Sequence, residues 1–200
     1  MAKLGAVPVT PRNMVKLLKA GDDVLLYPGG VKEALHLKGE EYHMFWPEKS
    51  EFVRMAASYN ATIVPFAAIG SADSAEILMD VGDIFGLPFG VGDSVQDAAD
   101  MMPRARQDDQ SEYFLPPLMV PKFPKVPARH YFVFGRPINT TFVDERDRDA
   151  CRRVYDRTKS TVSRGIKYLL EARDYDPYGN IAKRLLYETV MRTQASNSDH

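Results

Sequence analysis

The segment Tyr27-Pro28-Gly29-Gly30-Val31-Lys32-Glu33 contains the residues best suited to hold a charged group. An apolar run over residues 24–27 predicts a buried strand that ends at the two glycines. Because glycine has no Cβ, backbone amides there can approach a ligand closely, and a following helix would direct its positive end at a phosphate or a developing oxyanion. Lys32 adds a charge nearby. The same residues also suit an ordinary Pro-Gly-Gly turn, so two interpretations remain open at this stage.

General-base chemistry most often uses histidine, and the chain has four. His36 and His43 are each followed five residues later by a glutamate, but we expect both to be polar helix or loop residues. His130 opens a predicted strand and is expected to be structural, and His200 is terminal. The single cysteine, Cys151, excludes an internal disulfide and is expected to be an inert helix residue. We therefore assign no catalytic residue and no metal ligand.

Hydrophobic periodicity indicates the elements that would position these residues. Helical spacing predicts helices over 10–21, 51–60, 144–173 and 181–193. Thr10 or Asn13 is the candidate cap of the first helix, and Gly21 its end. Apolar runs predict strands over 62–70 and 130–135, with Pro65 at a strand end, edge or bulge because proline lacks the ladder donor. Strands alternating with helices indicate an α/β fold with a mixed central sheet flanked by helices.

Composition limits the function classes. The chain is 44% hydrophobic and 26% charged, with a formal net charge of -1, so no global charge attracts nucleic acid or anionic membrane. No run approaches the ~18 apolar residues of a membrane span. Residues 71–127 are rich in glycine and proline, and the apolar stretch 84–89 within them is either core or a contact with a lipid surface. Residues 1–194 are read as one domain, and 195–200 as a disordered tail.

The order of several sequence blocks resembles the glycerolipid acyltransferases. Their strand-following block has the form F-P-E-G-T-R-S, of which Tyr27 and Pro28 match the first two positions and Gly30 the glycine, while Lys32 replaces the arginine. Gly29 stands where the glutamate would be. A Pro-Gly-Gly followed by a glutamate, here Glu33, is similar to the diacylglycerol-acyltransferase branch, which mostly uses neutral alcohols as acceptors.

Other blocks agree in order and spacing. Residues 5–13 are similar to the branch's acceptor-binding block, 63–66 to its later V-P block and 134–138 to its closing strand and turn. Three details are similar to plant plastid acyltransferase-like proteins that include phytyl ester synthases: Gly39-Glu40-Glu41-Tyr42, Phe45-Trp46-Pro47 and Asp176-Pro177-Tyr178. The resemblance covers about residues 4–190.

The resemblance implies a glycerolipid-acyltransferase-like fold and acyl transfer from acyl-CoA or acyl carrier protein to diacylglycerol or phytol, with no other cofactor. It implies a peripheral membrane or lipid-droplet surface as partner, no nucleic acid, and a chloroplast location in plastoglobules or on thylakoids. It also implies a substrate-binding set: Arg12, Tyr27, Pro28, Gly29, Gly30, Lys32, Glu33 and Pro65. Arg12 and Lys32 are expected to face one cleft, and Gly30→Val to lower turnover with little change in melting temperature.

The base of such enzymes is the histidine of an H-x-x-x-x-D pair that precedes all these blocks, and this sequence contains no such pair. We therefore expect the chain to be the C-terminal part of an acyltransferase domain, truncated at its N-terminus and inactive alone. The alternative is a lipid-binding or scaffolding protein that kept the fold after the pair was lost.

Overall fold

The computed structural model describes residue 7 and residues 10–34, 36–79, 83, 118–121 and 129–196. The helices are α1 (Pro11–Ala20), α2 (Val31–Ala34), α3 (Glu51–Ser58), α4 (Arg148–Asp174) and α5 (Ile181–Met191), and a 3₁₀ turn covers Ala72–Ser74. The strands are β1 (Phe66–Ile69), β2 (Ala75–Met79), β3 (Leu118–Pro121) and β4 (Tyr131–Phe134). The apolar stretch 84–89, a candidate for lipid contact, lies outside the described residues.

The ends of α1 confirm the capping signals in the sequence. The Thr10 hydroxyl accepts a hydrogen bond from the Asn13 backbone N–H at 3.2 Å, so Thr10 is the N-cap and Asn13 is not. Gly21 follows the helix with φ +76°, a left-handed conformation that glycine adopts without a Cβ penalty.

The strands form two separate pairs. β1 pairs with β4, and an antiparallel bridge between Ile63 and Ile138 lies just outside this pair. β2 and β3 pair antiparallel, with an irregularity between Ile77 and Met79. The expected mixture of helices and strands is confirmed. The expected single mixed central sheet is not formed by the part of the chain that the structure describes, which holds these two pairs instead.

The strand predicted over residues 24–27 is wrong. This segment does not form a strand. Its side chains alternate between half-buried and exposed, and Leu25 and Tyr27 point outward. A buried strand needs ladder partners on its edges and cover on its faces, and a short apolar run cannot reveal whether either exists. The two later strands were predicted correctly, and Pro65 directly precedes β1, as its missing N–H requires.

The chain divides into two compact units. The first comprises Met1–Pro28, Pro47–Ala68 and Phe132–Leu169. Its core joins α3 to the adjacent part of α4, where Val53 and Tyr155 are fully buried and the rings of Phe52 and Tyr155 lie 5.7 Å apart. The Tyr155 hydroxyl donates to the Pro47 carbonyl. Cys151 is buried in the same helix, and burial raises the pKa of its thiol, which agrees with the inert role expected for it.

The second unit comprises Gly29–Trp46, Ile69–Tyr131 and Leu170–His200. One polar cluster joins its loops: the Tyr42 hydroxyl donates to Asp73 at 2.6 Å and accepts from the Gly70 N–H, while Arg173 pairs with Asp73 at 2.7 Å. Ala195, which the sequence places in the polar tail, is buried in this unit. No helix within the described ranges is both long and apolar enough to cross a membrane.

Candidate functional site

The Pro-Gly-Gly segment forms a tight turn that leads into α2. Gly30 has φ +61°, and its carbonyl accepts the Ala34 N–H at 3.3 Å. Gly29 is buried, and a Cβ at that position would overlap the side chain of Glu33. Since α2 is a single turn of four residues, few peptide dipoles are aligned there, and the positive helix end contributes less than a long helix would.

The Glu33 side chain occupies the space that a Cβ at position 29 would need. Its carboxylate folds over the turn, and Oε1 accepts the Phe45 N–H at 2.9 Å, which ties the turn to the following loop. We predicted that Gly29 and Gly30 admit a substrate to the backbone. The structure supplies a local reason for Gly29, namely space for Glu33, and a role in substrate binding stays a prediction.

The expectation that Gly30→Val leaves the melting temperature nearly unchanged is not supported by the backbone. Gly30 lies in the left-handed region, where a β-branched side chain is strained even though no atom lies within 4 Å of the added Cβ. The substitution should therefore cost stability, whether or not it also costs turnover.

Pro65 and Tyr27 lie beside the same strand in the first unit. The Tyr27 ring meets Phe66 edge-on at 5.8 Å, and the Pro65 carbonyl accepts the Gly135 N–H at 2.7 Å. A cavity of about 230 Å³ opens here between β1, β4 and α4, lined mainly by apolar residues. Its walls include Pro65, Phe66, Ala67, Val133, Phe134, Thr161, Val162 and Tyr168.

Two glycines shape this cavity, and neither was singled out in the sequence. A Cβ on Gly165 would lie 2.8 Å from the Ala67 Cβ, so the glycine lets α4 approach β1 closely. A Cβ on Gly135 would lie 2.6 Å from the Thr161 methyl carbon. A glycine inside a strongly periodic helix is the signal that could have found Gly165, because it weakens the helix unless packing requires it.

The two cationic residues of the predicted substrate-binding set lie in different helices. Arg12 is exposed in the first turn of α1, in the first unit, and Lys32 is half-buried in α2, in the second unit. The cleft they are expected to share stays a prediction.

The histidines do not form a base with the carboxylates that follow them. His36 is buried, with Nδ1 3.1 Å from the Leu37 carbonyl, whereas His43 is exposed near Phe45. Among the described residues neither ring is hydrogen-bonded to the glutamate five positions later. Glu41 instead accepts the Gly39 N–H at 3.3 Å, and backbone hydrogen bonds are the main cause that lowers the pKa of its carboxyl. His36 and His43 both lie in loops, in agreement with the polar helix or loop positions expected of them.

Comparison with known proteins shows which proteins the chain is similar to. Residues 1–82 match the diacylglycerol acyltransferase family. Two Arabidopsis thaliana proteins are similar over most of the chain: phytyl ester synthase 1, chloroplastic, with 41% identity over 194 residues, and phytyl ester synthase 2, chloroplastic, with 42% over 192. The matched stretches cover 94% and 92% of this chain but only 27% of each relative, so the chain spans about a quarter of their length. No solved structure matches it. The chain is thus similar to the diacylglycerol acyltransferase family over residues 1–82 and to the phytyl ester synthases over nearly its whole length.

Proposed function

We propose that the chain is part of an O-acyltransferase that moves a fatty acyl group from a thioester to a neutral lipid alcohol, diacylglycerol or phytol. The observation that carries this proposal is the 41% identity to a phytyl ester synthase across nearly the whole chain. The acyl donor is acyl-CoA or acyl carrier protein, and no metal or further cofactor takes part. Both relatives are named chloroplastic, which supports a chloroplast location, at plastoglobules or thylakoids.

The reaction needs a base that this sequence does not offer. The alcohol oxygen attacks the thioester carbonyl carbon, the C–S bond breaks, the thiolate leaves, and the alcohol proton passes to a general base. None of the four histidines is followed five residues later by an aspartate. We therefore assign the base to a segment of a longer protein, in keeping with the greater length of the relatives.

The cavity beside Pro65 suits part of an acyl chain. Its volume of about 230 Å³ is below the roughly 300–1,000 Å³ of typical small-molecule sites, so it fits a segment of a chain rather than a whole lipid. Its lining is mainly apolar, and the exposed ring of Tyr27 lies against Phe66 at its edge. The V-P block would then contribute to acyl-chain binding through the cavity wall.

The absence of an H-x-x-x-x-D pair from this sequence favours a second function. A lipid-binding or scaffolding protein would need the apolar cavity but no base, and the described residues supply only the former. The two functions differ in one measurement, because only the acyltransferase converts a labelled thioester to an ester.

The test uses the longest natural protein that contains this chain, with radiolabelled acyl-CoA and either phytol or diacylglycerol. Val162→Phe would fill the cavity, and we expect kcat/KM for long acyl donors to fall by about tenfold or more, with shorter donors less affected. Val154→Phe is the matched control, since it makes the same change in the same helix outside the cavity. Absence of ester from the parent protein would refute acyl transfer, and equal losses in the two variants would refute the acyl-binding cavity.

A further inference from the structure

Helix α5 presents apolar side chains outward. At about 100° per residue, Leu185, Leu186 and Val190 fall with Ala182 and Thr189 within an arc of roughly 140°. Leu186 is 67% exposed and Val190 68% exposed. Such an arc on an ordinary surface helix would face the protein interior.

α5 belongs to the second unit, and the side of the helix that faces the rest of that unit is polar. Arg184 and Glu188 are half-buried there and line a polar cavity of about 440 Å³ together with Arg129. The Glu188 carboxylate accepts the Ala195 N–H at 3.2 Å. Two of the three charged side chains of this helix, Arg184 and Glu188, are therefore half-buried while its leucines point outward, the reverse of the usual arrangement.

Contacts before and within the helix fix this orientation. Asn180 caps it by accepting the N–H groups of Ala182 and Lys183. The Tyr178 ring lies 4.5 Å from that of Tyr187, and the Tyr178 N–H donates to Asp176 at 2.9 Å. Turning the leucines inward would separate the Tyr187 ring from that of Tyr178 and the Glu188 carboxylate from the Ala195 N–H.

The charges at the edges of the apolar arc indicate what covers it. Lys183 is exposed and, at about 100° per residue, borders the arc on one side, and Arg192, the residue directly after the helix, is exposed as well. The acidic residue of the helix, Glu188, is held on the far side by Ala195. Cations beside an apolar stripe complement anionic headgroups, since their stems lie along the acyl region while the charges stay at the surface.

We propose that α5 lies in the surface of an anionic lipid layer, with Leu185, Leu186 and Val190 among the acyl chains and Lys183 and Arg192 at the headgroups. The helix has 11 residues, or about 16 Å, so it can lie in the interface but cannot span a bilayer. Binding through so small a face is peripheral and reversible.

The test is flotation of the 200-residue chain with phosphatidylcholine vesicles, with or without phosphatidylglycerol. We expect flotation with the anionic vesicles and weaker flotation without phosphatidylglycerol. Leu186→Asp should weaken partitioning by about tenfold or more, because it removes a leucine that would lie among the acyl chains and adds a charge that the anionic headgroups repel. Met191→Asp is the control, since it adds the same charge to an exposed apolar position of the same helix outside the arc. Far-UV circular dichroism checks that each variant is folded.

Three outcomes would overturn the proposal. One is no flotation of the parent chain with either vesicle. Another is equal weakening by Leu186→Asp and by Phe142→Asp, which lies outside α5 and would indicate non-specific adhesion. The third is a lipid-free dimer that Leu186→Asp abolishes, which would assign the face to a second copy of the chain. No acyl donor or acceptor is present, so these results are independent of whether the protein transfers acyl groups.

Discussion

Replacing Asp176 with alanine should destabilise the protein strongly, although Asp176 is assigned no part in binding substrate. Its carboxylate is only 1% exposed and accepts the Tyr131 hydroxyl at 2.6 Å and Arg129 Nη1 at 3.0 Å. Arg129 is 15% exposed, and its guanidinium also donates to the Ala195 carbonyl. Without the carboxylate, a nearly buried guanidinium loses its counterion and two further donors lose their acceptor.

The expected loss of unfolding free energy is about 3–5 kcal/mol, the usual result of removing one partner from a buried ion pair. An exposed pair of the same type provides the comparison. Arg152 pairs with Asp156 at 3.0 Å and lies over the Tyr155 ring at 5.3 Å, much as Arg129 lies over Tyr131 at 5.6 Å. Both side chains of the exposed pair are more than half exposed, so Asp156→Ala should cost only about 0–1 kcal/mol.

Urea unfolding followed by far-UV circular dichroism measures both variants. Asp176→Ala should lower the midpoint by roughly 1–2 M, and Asp156→Ala by much less. Asp176→Asn should fall between them, because an amide oxygen still accepts hydrogen bonds while the charge is lost. If Asp176→Ala cost no more than Asp156→Ala, burial would not govern the strength of these pairs and the reasoning would be refuted.

Two further predictions concern the backbone and pH. Gly30→Val should cost about 1–3 kcal/mol through its left-handed φ, whereas Gly30→Asn should cost less because asparagine tolerates that region; equal melting temperatures for all three proteins would contradict this. Burial and the Asp176 hydrogen bond raise the pKa of Tyr131 to about 12. The folded state then holds this proton more tightly than the unfolded state, so its contribution to stability is complete below pH 10 and is lost toward about 12. Tyr131→Phe should flatten that alkaline decline, and an identical pH profile in the variant would count against the assignment.

Local signals in the sequence predicted the helices well. The spacing of apolar residues at i, i+4 and i+7 predicted α4, and the capping residues predicted both ends of α1. The pairing of β2 with β3 was missed, since it joins segments about forty residues apart across a region without clear periodicity. Non-local pairing leaves no trace in the spacing of either strand. The run over 24–27 failed for the related reason that burial depends on neighbours the run does not specify.

The candidate site was predicted less fully than the helices. The turn at Pro28–Gly30 and the position of Pro65 before a strand followed from proline and glycine chemistry. The tie from Glu33 to the Phe45 N–H, and the approach of α4 to β1 at Gly165, depend on side chains that meet only in three dimensions. The cavity beside Pro65 could not be inferred without that second contact.

The residues that carry the resemblance to the plant proteins are those that hold loops in place. Tyr42 has φ +63°, an uncommon conformation for a non-glycine residue, and its hydroxyl makes two hydrogen bonds that hold it there. Pro47 presents its carbonyl to the buried Tyr155, and Asp176 joins three donors. Removing the Tyr42 or the Asp176 side chain would break at least two hydrogen bonds at once, whereas the carbonyl at position 47 belongs to the backbone and is kept by any residue. These residues therefore specify the geometry of their loops, and none of their contacts bears on which substrate the protein binds.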